Sequence, residues 1–135
     1  MSNDIMVAFA TALNTFAATQ NIQVAWENVN FTPPQDEPYL RGFLLPATTV
    51  AAGLGTSAYN KHSGVYQVDV IYPAGQGWGG CSSMAEKVRK NFKRGSSLKS
   101  GAIIIESAST GPAMREDGRY KIPVSINYIG WLPNE

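Results

Sequence analysis

The residues of this chain best suited to chemistry lie in a few short stretches. Gly75, Gly77 and Gly80 of "GQGWGG" satisfy G-x-G-x-x-G between a strand-like and a helix-like run, which is where a dinucleotide-binding loop would lie. His62 is the single histidine and Cys81 the single cysteine. Two carboxylate pairs, Asp36 with Glu37 and Glu116 with Asp117, supply the residue types that general acid–base catalysis uses. Lys87, Arg89, Lys90, Lys93 and Arg94, continuing to Lys99, form a basic cluster that could touch a phosphate backbone.

Each signal has a plainer reading beside it. A Rossmann unit needs a strand buried on both faces, a parallel neighbour reached through the helix, and an acid to hold the ribose. Glu106 fits the last requirement, but the preceding strand carries Gln67 and Asp69, Pro73 and Ala74 lengthen the turn, and Trp78 would crowd a pyrophosphate. The glycines read better as a flexible strand-to-helix loop in which backbone can approach a neighbour closely. His62 lies between Lys61 and Ser63 in a stretch with no regular period, so it reads as a solvated loop residue rather than an oriented base. Cys81 sits near a helix start, where a thiol pKa can fall, yet it also belongs to an apolar stripe and reads as packing. Both carboxylate pairs fall in Pro- or Gly-rich turns, and no H-E-x-x-H, Walker loop or ligand-spaced cluster occurs. The cations are equally explained as the solvated face and dipole complement of a helix end.

The elements that must position these residues follow from periodicity. Ile5, Phe9, Ala12, Leu13 and Phe16 predict a helix over 3–19, with Ser2, Asn3 or Asp4 at its start. Ile22, Val24 and Trp26 alternate as a short strand, ended by the prolines of "TPPQDEP" (32–38). "YLRGFLLPA" (39–47) is a second strand, with Tyr39, Arg41, Phe43 and Leu45 on one face and Pro46 closing it. The run 47–64 is small, polar and aperiodic, a long loop or a hairpin arm. "VYQVDVIYP" (65–73) groups Tyr66, Val68, Val70 and Tyr72 on one face. Cys81, Met84, Ala85, Val88 and Phe92 form the stripe of a second helix, 80–94, closed by Gly95. Strands at 102–109 and 120–131 flank a short polar connection, which implies an antiparallel pair. The expected fold is a single α+β domain over 1–135, of order α-β-β-β-α-β-β. Its four- or five-stranded, mostly antiparallel sheet has two helices packed on one face.

The totals set bounds on function. A chain of 135 residues fits one core. Eleven basic and ten acidic residues give a net charge of +1, which creates no global field for a polyanion or an anionic membrane. One cysteine excludes an internal disulfide and suits synthesis in a reducing cytoplasm. The first twenty residues lack the basic start and unbroken apolar run of a signal peptide or a membrane span.

"VAWENVNFTPPQDEPYLRGFLLPA", "HSGVYQVDVIYPAGQGWGGCSSMAEKV" and "RYKIPVSINYIGW" together resemble small phage and prophage proteins allied to the tail-terminator, or minor tail protein U, group of long-tailed phages. The resemblance spans about residues 20–131, and "FTPP" with "PYLR" (31–41) and "GVYQVDV" with the following P-x-G-x-G (64–77) are its most specific parts. It implies a structural, cofactor-free virion protein, assembled in the host cytoplasm, that sits as a ring of usually six copies on the head-proximal end of the tail tube. There it stops polymerisation of tube protein and presents a surface to head-completion proteins. No active site is carried over. A ring needs contacts between two unlike faces of each subunit. The subunit-interface candidates are Arg41, Tyr59, His62, Gly75, Gly77 and Trp78, with Arg41 in need of a partner if buried. The alternative is a head–tail joining adaptor that meets DNA through Lys87, Arg89, Lys90, Lys93 and Arg94; a nucleotide-binding enzyme built on "GQGWGG" ranks third.

Overall fold

The computed structural model describes residues 2–55, 58–116 and 118–133. The Ser2 and Asn3 side chains, the Glu116 carboxylate, Asp117, and Thr56 and Ser57 of the 47–64 run lie outside what it describes. Among the described residues two helices, α1 (Ser2–Gln20) and α2 (Gly79–Asn91), accompany seven strands. These are β1 (Gln23–Trp26), β2 (Tyr39–Ala51), β3 (Tyr59–Pro73), β4 (Ser97–Leu98), β5 (Ile103–Thr110), β6 (Met114–Glu116) and β7 (Arg119–Pro133). They form one sheet of order β1-β2-β3-β7-β5-β4, with β6 also on β7; β1 runs parallel to β2 and every other pair is antiparallel. The expected four or five strands are thus an undercount. β4 and β6, at two and three residues, are too short to show any alternation.

The sheet is built on β3 and β7, whose alternating side chains put Tyr66, Val68 and Val70 opposite Ile126, Val124 and Ile122. These residues, with Leu40, Leu44, Ile103, Ile105 and Tyr128, share one buried cluster with the apolar stripes of both helices. α1 supplies Ile5, Phe9, Leu13 and Phe16; α2 supplies Cys81, Met84, Ala85 and Val88, and Phe92 follows directly after it. Phe9 sits at the centre of an aromatic group. Its ring stacks on Tyr66 at 4.7 Å and meets Tyr128 at 5.2 Å and Phe92 at 6.0 Å. Burial of each such ring contributes roughly 1.5–3 kcal/mol over leaving it in water. α1 stops at Asn21, a left-handed residue (φ 54°), and the amide of Ile22 returns to the Ala17 carbonyl at 3.0 Å.

Three boundaries differ from the sequence reading. Pro46 does not close β2: the register shifts between Pro46 and Thr48 and the strand continues to Ala51. The run 47–64 is accordingly the far half of a hairpin, in which Thr49, Val50 and Ala51 face His62, Lys61 and Asn60. α2 ends at Asn91, capped by the Phe92 amide on the Val88 carbonyl, so Lys93 and Arg94 lie beyond the helix. Gly95 does not cap it; its amide donates to the Ile105 carbonyl at 2.9 Å and ties this segment to β5.

Candidate functional site

The apolar stripes of both helices share one buried cluster with the even-numbered residues of β3 and β7, and the odd-numbered residues of these strands lie on the other, outer face. Along β2, β3 and β7 this outer face holds a polar cluster centred on Asp69, whose side chain is 1% exposed. Arg41 donates to Asp69 Oδ2 from Nη2 at 2.8 Å and Nε at 3.2 Å, Gln67 Nε2 donates to Oδ1 at 2.8 Å, and Lys121 Nζ lies 3.9 Å away. The partner that Arg41 needs is therefore in its own chain, one strand over. Beside it opens a cleft of about 600 Å³ lined by Trp26, Val29, Phe31, Tyr39 and Phe43. Arg119 rests 5.3 Å from the centre of the Tyr39 ring and donates to the carbonyls of Pro34 and Glu37.

Farther along the same face the character changes to apolar. Leu45, Val50, Tyr59, Ile104 and Trp131 are all exposed, and Lys61 Nζ stands 5.8 Å over the Trp131 ring. At the tip of the hairpin Leu54 is 99% exposed. At the other end of β3, past its fifteen residues or roughly 46 Å of strand, Trp78 is 68% exposed on the glycine loop. Tyr59 and Trp78 thus mark opposite ends of the molecule. Single exposed apolar residues are ordinary, but a row of five on one uncovered face is the mark of a contact surface.

His62 is not the solvated loop residue its neighbours suggest. It points toward the helix side of the hairpin, 9% exposed, with Nδ1 3.1 Å from Thr49 Oγ1, and burial holds its pKa below the ordinary 6.5. Cys81 is fully buried, its Sγ 3.3 Å from the Val70 carbonyl oxygen, and burial raises its pKa to about 11, so the helix start does not activate it. In the glycine loop Gly75 and Gly77 have φ of 89° and 76° and face open space. β3 and β5, joined through α2, run parallel, but β7 lies between them and is antiparallel to both, so this is a split crossover and not the adjacent parallel pair of a doubly wound dinucleotide fold. Among the described residues no group of His, Cys, Asp and Glu is placed to hold a metal, and no helix is long and apolar enough to cross a membrane.

Of the basic residues, Arg89 is taken up by Glu86 one turn earlier, through both Nε and Nη2, which lowers the carboxyl pKa and raises that of the guanidinium. Lys87, Lys90, Lys93 and Arg94 are exposed. The structure gathers Arg41 with Asp69 and Lys121, brings His62 to Thr49, and sets Tyr59 and Trp78 at opposite ends of β3, with Trp78 at the head of the helix that carries Lys87, Arg89 and Lys90. Sequence reasoning missed the cleft and the apolar row. Its signal was present in the alternation of Leu45, Tyr59 and Trp131 with buried neighbours, hidden while 47–64 was read as a loop.

Comparison with known proteins completes the picture. A family model described as phage tail terminator protein matches residues 4–128. A solved structure whose name describes no function superposes with a TM-score of 0.75 at 27% identity, covering 96% of this chain and 95% of the other. No curated protein matches.

Proposed function

This chain belongs to the phage tail terminator protein family, and on that premise we propose that it is a non-enzymatic virion protein closing the end of the tail tube. It acts as a ring of copies, six by the family resemblance, seated at the head-proximal end after assembly in the host cytoplasm. The ring ends addition of tube protein and offers its free side to head-completion proteins. The observation that carries this reading is the uncovered outer face. An isolated subunit gains nothing from exposing Leu45, Val50, Tyr59, Ile104 and Trp131 on one side of its sheet, whereas a subunit packed against others buries them. Leu54, Tyr59 and Trp78 are the side chains we assign to these contacts, with Gly75 and Gly77 letting the Trp78 loop conform to its neighbour. Arg41 supports the face through Asp69, and His62 holds the root of the hairpin.

Light scattering on the purified protein, alone and with tube protein, tests the proposal. A closed ring that arrests growth of tubes is the expected result; a persistent monomer that leaves tubes growing overturns it. The exposed Lys87, Lys90, Lys93 and Arg94 favour a second reading, a joining adaptor that meets DNA. Binding of duplex DNA that weakens steeply with salt would support it.

A further inference from the structure

The two edges of the sheet are unlike, and the difference extends to charge, shape and polarity. At the β1 edge the segment 21–38 carries Glu27, Asp36 and Glu37 and no cation of its own; the Leu44 amide donates to Glu27 and Arg119 donates to the Pro34 and Glu37 carbonyls, which leaves Asp36 and Glu37 as the outward carboxylates. At the β4 edge the segment 86–99 carries Lys87, Arg89, Lys90, Lys93, Arg94 and Lys99 against one carboxylate, Glu86, which Arg89 already binds. The two edges are the outermost strands of the sheet order, and among the described residues no ion pair joins the acidic segment to the basic one. A net charge of +1 thus conceals a strongly bipolar molecule.

Shape follows the same division. Between α1 and β4 runs a groove of about 510 Å³ lined by Val7, Ala8, Ala12 and Leu98, with Lys99 and Asp4 at its margin. At the β1 edge Val29, in the turn after the strand and at the cleft described above, is 59% exposed. One edge presents an exposed apolar side chain near carboxylates, the other an apolar groove among cations. Asp4 is the one carboxylate in the groove lining, set against Lys99 there and four exposed cations nearby. The edge strands themselves are only four and two residues long, so a neighbour is held by side chains rather than by a continued ladder.

We infer that neighbouring copies join edge to edge, the 27–38 loop of one copy seating Val29 in the α1–β4 groove of the next, with Asp36 and Glu37 against the Lys87–Lys99 row. The contact is head-to-tail, the kind that closes a ring. Complementary charge sets its register and speeds its formation. The inference rests on the ring reading and adds an edge-to-edge contact to the outer-face contacts assigned above.

Two charge variants test it: Asp36→Asn with Glu37→Lys, the first chosen because Asp36 has a φ of 59° that Asn tolerates, and Lys90→Glu with Lys93→Glu and Lys99→Glu. Each alone should associate roughly tenfold or more weakly than wild type at low salt, measured by light scattering, and an equimolar mixture should regain rings. Loss in both variants without rescue on mixing, or rings from both variants alone, overturns the edge pairing while wild-type rings keep the broader reading intact. Wild-type protein that never forms a ring removes both. Intact rings from the lysine variant together with lost binding of duplex DNA would give the basic row to nucleic acid and likewise overturn the pairing. As a check independent of charge, a Val7→Cys, Val29→Cys chain should form a ladder of disulfide-linked copies on mild oxidation. A single unlinked band in rings of normal size counts against the contact.

Discussion

Arg41 and Asp69 face each other directly across β2 and β3, and two nitrogens of one guanidinium converge on the same carboxylate oxygen, at 2.8 and 3.2 Å. The pair is asymmetric. The Asp69 side chain is 1% exposed while that of Arg41 is 39% exposed, so the carboxylate depends on its partners far more than the guanidinium does. Asp69→Ala should therefore lose about 1–3 kcal/mol in urea unfolding. Arg41→Ala should lose less, because Gln67 and Lys121 still reach the carboxylate and water already screens the arginine. Equal losses from the two variants would contradict this account.

Gly42 makes the room that the central stack occupies. A Cβ on it would come within 2.5 Å of the Tyr66 hydroxyl and 2.7 Å of Leu13 Cδ2, and Tyr66 is held by Phe9 on its other side. Gly42→Ala should destabilise by about 1–3 kcal/mol through overpacking. Gly79→Ala, where nothing lies within 4 Å, serves as the control and should change the thermal midpoint little.

These two positions show what was legible in advance. The faces of β2 are plain in the sequence: Leu40, Gly42 and Leu44 alternate with Tyr39, Arg41, Phe43 and Leu45, and the structure buries the first set. Both helices, β7 and the 65–73 part of β3 were equally plain, because side chains at a fixed period meet a single core. The Arg41 partner was not, since register between strands depends on the whole ladder rather than on local pattern. The parallel pairing of β1 was hidden for the same reason. The hairpin beyond Pro46 was obscured by a proline that ordinarily ends a strand and by small residues that bury little. His62 shows the cost of that misreading: placed on a paired strand rather than in a loop, it turns inward.

His62 should make stability depend on pH in the neutral range. Burial depresses its pKa in the folded chain below 6.5, so above that value the ring is neutral in both states and the group adds no pH dependence. As pH falls through 6.5 the unfolded chain takes up a proton that the folded chain resists. Stability therefore declines until the lower, folded pKa is passed, and then levels off. Melting curves between pH 7.5 and 5 should show this decline, and His62→Gln should flatten it. A slope unchanged by the substitution would assign it to other groups.

Cys81 should be inert while the protein is folded. It is wholly buried against the Val70 carbonyl, and burial raises its pKa to about 11, so both access and thiolate fraction are small at pH 8. A thiol reagent at that pH should modify it only as fast as the protein opens, and urea above the unfolding midpoint should bring rapid reaction. Fast labelling of the folded chain would show that α2 lifts from the sheet more readily than its packing implies.

Trp78 separates assembly from folding. Its ring is 68% exposed and, at the N-cap of α2, it makes no side-chain cap, so Trp78→Ala, which neither removes nor adds a cap, should shift unfolding free energy by no more than about 0.5 kcal/mol. Leu54→Ser should behave alike, as that side chain is 99% exposed. If these residues are buried between subunits, each substitution should nonetheless weaken ring formation severalfold, since aromatic and aliphatic anchors dominate interface energy. Thermal melts and light scattering on the same samples separate the two effects. A variant that melts normally and assembles normally takes its residue out of the contact; one that melts early shows that the side chain supports the fold from its exposed position.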